Sequence, residues 1–455
     1  MITMYDWQAS DVESWAEALN SGASPSVFVA YEQSLGKTLV TTELAKRIDA
    51  ETIIIVAPLN TVSSWRRTFA EQYPDMPFAV LGTKKKLDIA SFGYLKKGQR
   101  GAWIIGWELM RTGALTGQYA DLVIADETHR QQSQKSDSHK MLREIRSKYR
   151  MALSGTPAAN QPDGIFATLF WLWPDRYSSY TKWVDKFWRT RRNGAVIDFV
   201  REITPGAVIA DIPVFSRRLR AEHRGDLPKA MPEVDIEVEL TPAQRKLYNQ
   251  FDEFAAAWID DSFVPTSVPL AEDMRKLQVT LGVPTVLEDG QISFAPDCKS
   301  SKIDALLDTL SDQPEGSTML VLCPSARFIP SVVHQLNKKG YKAEGFSGEL
   351  TPANSDKRTW VLENFGTEFQ VLVAGIAAIG EGTDGLQYKC SRQFWLAKHP
   401  NNFLNQQAKW RLDRPGQTEP VQSWYTWATN TVEKSKLERL EEIQENLNEL
   451  LDNHR

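Results

Sequence analysis

The chain has 455 residues, 42% apolar and 24% charged, with a formal net charge of −5. That length suits two or three domains, and the composition is that of an ordinary globular protein. No apolar run reaches the roughly 18 residues of a membrane span, and no secretory signal is recognisable. The negative balance argues against a globally basic nucleic-acid coat but leaves room for a local basic groove. Cys298, Cys323 and Cys390 are too scattered for a metal or disulfide framework, which fits a reducing cytoplasm. The fifteen tryptophans read mainly as packing anchors.

Short apolar runs alternate with helix-length amphipathic segments, the pattern of a parallel α/β sheet. The first predicted strand, Val27–Ala30, leads into Tyr31-Glu32-Gln33-Ser34-Leu35-Gly36-Lys37-Thr38. A Gly-Lys-Thr at a strand-to-helix turn suits a nucleoside triphosphate. Backbone N–H groups and the helix N-terminus cradle the phosphates, the lysine reaches the outer ones, and the threonine hydroxyl ligates magnesium. The general pattern wants a glycine five residues before Gly36, where Tyr31 stands. Further strands are expected at Thr52–Ala57, Ala102–Gly106, Asp121–Ala125 and Arg150–Leu153.

The fourth of these strands ends in Asp126-Glu127-Thr128-His129, placing two adjacent carboxylates where α/β sheets bind ligands. One can hold magnesium while the other orients or deprotonates water. The fifth ends in Ser154-Gly155-Thr156-Pro157, whose small hydroxyls could link the nucleotide site to a bound strand. Between about Asp226 and Pro296 the alternation pauses, and a small helical insertion is expected. It resumes at Thr318–Cys323, Lys342–Phe346, Gln370–Ala374 and Gln393–Ala397. Leu437, Leu440, Ile443, Leu447 and Leu450 then recur at helical spacing, predicting an amphipathic helix that packs back onto the second domain. The expected division is 1–222, 223–298, 299–431 and 432–455.

The order of Gly-Lys-Thr, Asp-Glu-x-His and Ser-Gly-Thr-Pro resembles a superfamily 2 helicase motor, and more narrowly a Swi/Snf-type ATPase in a compact bacterial or phage-like form. Glu32–Thr38 is similar to that family's Asp-Glu-x-Gly-Leu-Gly-Lys-Thr, with Tyr31 for Asp and Ser34 for Gly. The family also lacks the early glycine, so Ser34 is the departure that matters. If the family's glycine has positive φ there, serine costs about 1–2 kcal/mol. Tyr5-Asp6-Trp7-Gln8 resembles the element whose glutamine reads adenine. Phe215-Ser216-Arg217-Arg218 with Leu227-Pro228, and Thr241-Pro242-Ala243-Gln244 with Tyr248, resemble two passages characteristic of the Swi/Snf group.

Gln407 to Thr418 resembles the family's Gln-x-x-x-Arg-x-x-Arg-x-Gly-Gln-Thr. Arg411 and Arg414, three apart, are expected on one helix face, and such arginine fingers are worth roughly 10³–10⁵ in rate. Gly380-Glu381-Gly382-Thr383-Asp384 resembles the loop that touches ribose and DNA, with Glu381 and Asp384 nearer to the broader helicase pattern. Pro58 (with Trp65), Trp107, and Ser347-Gly348 (with Arg358 and Phe365) resemble strand-contacting motifs. Arg66, Arg67 and Lys84-Lys85-Lys86 are weaker candidates.

The resemblance implies two RecA-like α/β lobes with ATP between them. Gln8, Leu35, Gly36, Lys37, Thr38, Gly382 and Asp384 would bind the nucleotide, and Thr38 and Asp126 would hold Mg2+. Lys37, Asp126, Glu127, Arg411 and Arg414 would carry the chemistry. His129, Ser154, Thr156 and Gln407 would couple it to motion, and Pro58, Trp107, Ser347 and Gly348 would contact DNA. The implied activity is a cytoplasmic, monomeric, DNA-dependent ATPase of a bacterial or phage-infected cell. It would translocate on duplex or branched DNA and remodel DNA or DNA–protein complexes. No chromatin-reader or nuclease domain and no membrane contact is expected, and the sequence identifies no protein partner. The alternatives are a strand-separating helicase on single-stranded DNA or RNA, and the motor subunit of a larger complex.

Overall fold

Parallel pairing of these strands requires long crossovers, and the helix-length segments between them supply those. The computed structural model describes residues 3–58, 61–81, 99–131, 133–158, 162–193, 196–223, 228–259, 262–266, 269–348, 355–380, 383 and 385–452. The chain forms two compact units, Met1–Gly225 with Ile443–Arg455, and Asp226–Glu442.

The first unit holds seven parallel strands. They are β1 (Ser26–Tyr31), β2 (Thr52–Ala57), β3 (Phe78–Leu81), β4 (Gly101–Gly106), β5 (Tyr119–Asp126), β6 (Arg146–Leu153) and β9 (Phe215–Arg218), in the order β3-β4-β2-β5-β6-β1-β9. β1, β2 and β4 are buried along their whole length, as in a sheet covered on both faces. Alternate residues serve opposite faces. Phe28, Ile54 and Ile105 join one core cluster, while Val27, Ile53 and Ile104 join the other. Leu153 pairs with Val29 on one side and with Asp126 on the other. The carboxyl ends of β1, β6 and β5 therefore finish side by side, at the roughly 4.8 Å spacing of neighbouring strands. A separate antiparallel hairpin, β7 (Trp188–Asn193) and β8 (Val196–Glu202), belongs to the same unit.

The second unit holds six parallel strands in the order β10-β19-β18-β15-β17-β16. They are β10 (Val234–Val238), β15 (Met319–Cys323), β16 (Ala343–Phe346), β17 (Val371–Gly375), β18 (Arg392–Trp395) and β19 (Gln422–Ala428). Two parallel sheets flanked by helices are the two RecA-like lobes that were expected.

The insertion is less helical than its sequence suggested. Helices Pro242–Phe254 and Pro269–Leu281 are there, but β10 joins the main sheet. Two antiparallel hairpins also form, β11 (Ala256–Ile259) with β12 (Ser262–Pro265), and β13 (Pro284–Val286) with β14 (Ile292–Phe294). These strands are short and half exposed, so no apolar run announces them.

The terminal helix Val432–Asp452 corrects a second expectation. Its residues through Glu442 belong to the second unit, but from Ile443 it belongs to the first. There Leu447, Leu450 and Leu451 share a core cluster with Trp188 and Val208. Among the described residues no helix is long and apolar enough to cross a membrane.

Candidate functional site

The loop after β1 is built around two left-handed residues. Gly36, at φ 78°, caps helix Lys37–Arg47 and turns the chain from strand to helix. A Cβ there would stand 2.7 Å from Gln8 Nε2 and push that amide off the loop, and the left-handed backbone favours glycine as well. Ser34 is left-handed as well, at φ 66°, and carries the Cβ penalty that glycine avoids. Gln8 is fastened to this loop. Its Nε2 donates to Leu35 O at 2.9 Å, and its Oε1 accepts from Tyr5 N at 2.9 Å. Leu35 is buried beneath. Lys37 Nζ donates to Tyr31 O at 3.0 Å and to Glu32 O at 3.4 Å, so its ammonium stands within the cradle. Thr38 opens the same helix, beside Lys37.

Across β6, β5 delivers the acidic pair. Asp126 is 6% exposed, and its Oδ2 accepts from Trp65 Nε1 at 3.0 Å. Burial, and then the charge of Glu127, push the Asp126 carboxyl up to about 6. Glu127 sits at φ 53°, a strained conformation for a residue with a Cβ. Strain of this kind is tolerated where the surrounding structure fixes it, and here it re-aims the side chain as the strand ends. Glu127 Oε2 lies 3.4 Å from His129 Nδ1. His129 Nδ1 is 3.3 Å from Ser154 Oγ, which in turn accepts from Thr156 N at 3.1 Å. Burial holds the His129 imidazole down at about 3, so at neutral pH it is an uncharged linker. Asp126, Glu127, His129, Ser154 and Thr156 are thus brought together beside Lys37. An added Cβ on Gly155 would meet Lys37 Nζ at 3.5 Å.

Magnesium suits this donor set. A buried carboxyl whose charge is disfavoured by burial and by a neighbouring carboxylate gains from a bound cation. Asp126 and the Thr38 hydroxyl are hard oxygen donors of the kind it takes.

A frame of polar contacts centred on Asp11 and Arg217 stiffens the site. Tyr31 Oη donates to Asp11 Oδ2 at 2.5 Å, and Arg218 reaches both Asp11 oxygens at 2.9 and 2.5 Å. Burial, reinforced by Asp11, pushes the Tyr31 hydroxyl well above its usual range, so it stays a proton donor. Arg217 bonds Ala30 O at 3.1 Å and Glu32 Oε1 at 3.3 Å, tying β9 to the start of the loop. Of these contacts, only the Arg217-Arg218 motif had a signal in the sequence. Asp11 carried no signal of its own, and its bond to Arg218 and the Trp65–Asp126 bond span 207 and 61 residues of chain, beyond any local pattern.

Two expected DNA contacts are corrected. Trp107 is 2% exposed, and its Nε1 donates to Asp126 O at 2.9 Å. Trp65 is fully buried on Asp126. These indoles shape the acidic site instead of meeting a strand. Pro58 is buried too, and its carbonyl accepts from Thr61 N at 2.9 Å and Thr61 Oγ1 at 2.8 Å. Lys84, Lys85 and Lys86 lie outside the described residues.

In the second unit, Ser347 is half-buried and Gly348 exposed just past β16. Arg411 and Arg414 do not share a helix face. Helix Asn402–Lys409 ends before them, and Pro415 and Gly416 (φ 93°) follow in turns that cannot extend it. Their guanidinia nevertheless converge. Arg411 donates to Gly380 O and, at 2.9 Å, to Thr383 O, while Arg414 donates to Thr383 O at 3.2 Å. Gln407 packs against Gly380, its Oε1 3.3 Å from where a Cβ would stand. Arg411 is 7% exposed. Glu381, Gly382 and Asp384 lie outside the described residues.

A glycine-capped phosphate loop beside an Asp-Glu pair, at the carboxyl ends of adjacent parallel strands, defines a nucleoside triphosphatase of the superfamily 2 type. The family model described as SNF2-related domain matches residues 8–279, and the chain belongs to that family of Swi/Snf-type ATPases. It is 22% identical to "CHD3-type chromatin-remodeling factor CHR7" of Arabidopsis thaliana, over 95% of this chain and 35% of that protein. It is 23% identical to an "Uncharacterized ATP-dependent helicase" of Mycoplasma pneumoniae, over 93% of this chain and 39% of that one. The chain therefore spans under half the length of these curated relatives. Among solved structures, the Sulfolobus solfataricus SWI2/SNF2 ATPase core in complex with dsDNA overlaps 99% of this chain and 97% of its own, at 19% identity and a TM-score of 0.44.

Proposed function

We propose that the chain is a DNA-dependent ATPase that moves along duplex or branched DNA. The observation that carries this reading is the convergence of Lys37, Asp126 and Glu127 at the ends of β1 and β5, within the first unit. Family membership supports DNA as the partner, and two matched relatives are named for helicase activity or chromatin remodelling.

In the proposed reaction the nucleotide phosphates displace the Tyr31 and Glu32 carbonyls from Lys37 Nζ and take its charge. Thr38 and Asp126 would hold Mg2+, which neutralises phosphate charge when bound. Glu127, re-aimed by its left-handed backbone, orients and deprotonates the attacking water. His129 carries no charge of its own and relays the state of Glu127 to Ser154 and Thr156. Thr156 Oγ1 is buried without a hydrogen-bond partner among the described residues, which leaves it able to bond once the loop shifts. Gln8 holds the loop and would read the base. Arg411 and Arg414 are assigned to the charge that builds on the transferred phosphoryl group. Their shared hold on Thr383 O would pass that event to the Gly380–Thr383 segment. Ser347 and Gly348 remain the proposed phosphate-backbone contacts to DNA.

The test is ATP turnover without nucleic acid and with single-stranded, duplex and forked DNA and RNA. Duplex or forked DNA should stimulate most, and Lys37→Ala should abolish turnover. Glu127→Gln should retain ATP binding and hydrolyse at least about 100-fold more slowly. Stimulation by RNA alone would overturn the DNA assignment, and near-normal turnover by Glu127→Gln would remove it as the base.

A further inference from the structure

The β11–β12 hairpin of the second unit carries a feature that ATP hydrolysis does not use. Its register sets Ala257 opposite Val264 and Trp258 opposite Phe263. Because side chains alternate across a strand, Ala257, Ile259 and Val264 enter a core cluster with Phe251 and Val279. Trp258 and Phe263 face the other way, 59% and 56% exposed, with ring centroids 5.4 Å apart. Phe254, at the end of the helix leading into the hairpin, is 72% exposed. The display is fixed. One face is anchored in the core, and Trp258 N donates to Gln250 Oε1 at 3.0 Å. Three large rings held at the surface in one short segment are the pattern of an interaction site, where aromatic anchors carry most of the binding.

Acidic residues prevail next to them in the chain. Asp252 and Glu253 adjoin Phe254, and residues 250–266 contain no Lys, Arg or His. Lys276 is occupied by Asp252 and Glu272, each at 2.6 Å, and Lys436 by Asp273 at 2.5 Å. Asp252 and Glu253 are exposed next to Phe254. A nucleic-acid strand brings a negative phosphate with every nucleotide and would be repelled here. A cation gains twice, from the carboxylates and from the negative faces of the rings.

We propose that Trp258, Phe263 and Phe254 form a docking surface for a protein segment that presents an apolar side chain flanked by lysine or arginine. The apolar side chain lies on the Trp258–Phe263 pair, and the flanking cations meet Asp252 and Glu253. The surface shares no residue with the proposed nucleotide site, and its occupation does not depend on ATP.

The probe is a fluorescein-labelled synthetic peptide of repeating Lys-Phe-Leu units, titrated with the full chain and read by anisotropy. Its counterpart of Glu-Phe-Leu units is the charge control. The Lys peptide should bind and the Glu peptide should not, and added salt should weaken the complex. The Trp258→Ala/Phe263→Ala double variant should lose affinity at least about tenfold, as removal of hot-spot aromatics does, and Glu253→Lys should weaken binding further. Both substituted rings are exposed, so basal ATP turnover and thermal unfolding should match the parent chain and exclude misfolding as the cause. Equal affinity in the double variant would overturn the proposal, as would equal binding of the two peptides. Loss of forked-DNA binding by the double variant, with peptide binding unchanged, would instead make the hairpin a nucleic-acid contact and equally overturn it.

Discussion

Ser34 shows how one residue can be unusual in sequence and intelligible in structure. A glycine stands at this position in the family pattern that the loop resembles. The backbone here is left-handed at φ 66°, the region in which glycine is unstrained and serine is not. The strain is held because the loop is pinned on both sides, by Gln8 at Leu35 and by Lys37 at Tyr31. Ser34→Gly should therefore relieve the Cβ clash, offset in part by glycine's greater freedom in the unfolded chain. The expected net gain is about 0.5–1 kcal/mol in the stability of the first unit, measured by urea unfolding. A loss of stability on this substitution would mean that the serine side chain contributes more than its backbone costs. Glu127, left-handed at φ 53°, is the contrasting case, because its conformation aims a carboxylate that the proposed chemistry needs.

At the scale of elements, what the sequence made legible was whatever local pattern dictates. β1, β2, β4 and β5 are apolar runs buried on both faces, and each lies within a residue or two of its expected place. Asp126 and Ser154 could be placed from sequence because each closes or directly follows an apolar strand, and Lys37 and Thr38 because a short loop links them to β1. The edge strands β3, β9 and β10 are short and half exposed, and the insertion hairpin strands are no longer, so no periodicity separates them from loop. The tryptophan at 107 was read as a DNA contact and is buried instead, because a motif resemblance fixes position along the chain but not the direction of a side chain. The terminal helix was visible, but not the unit its last turns would join, since partner choice is tertiary. Its first turn carries a buried ion pair that sequence could not reveal either. Lys302 is 0% exposed and donates to Glu433 Oε1 at 2.6 Å, while Glu433 also accepts from Thr280 Oγ1 at 2.8 Å and Ala428 N at 2.6 Å. Burial alone would lower the Lys302 ammonium, and Glu433 opposes that. Lys302→Met should strand a buried carboxylate and cost about 3–5 kcal/mol in the second unit. Lys302→Met/Glu433→Gln should recover much of that loss in a double-mutant cycle. A single-variant cost below about 1 kcal/mol would show that the pair stabilises little beyond its hydrogen bonds.

For the whole molecule, two units with separate core clusters imply that stability is not one quantity. Sheets this size unfold cooperatively within themselves, and chains of this length commonly pass through intermediates. The phosphate loop, Gln8 and the acidic pair all lie in the first unit, whereas Arg411 and Arg414 lie in the second. ADP lacks the γ-phosphate to which those arginines are assigned, so its binding should stabilise mainly the first unit. At about 100 times its Kd the stabilisation is about 2.7 kcal/mol. Hydrogen exchange read peptide by peptide separates the two units. With ADP, amides of β1, β5 and β6 should exchange more slowly, by up to about a hundredfold where global unfolding of that unit controls exchange, while β15, β17 and β18 should change little. The last turns of the terminal helix give an internal control. Leu447, Leu450 and Leu451 share the first unit's core, so their amides should follow β1, although the start of the same helix belongs to the other unit. Protection confined to the second unit would place the nucleotide away from Lys37. Equal protection of both units would show that the chain unfolds as one body, and the division of labour between cradle and arginines would then have no counterpart in its stability.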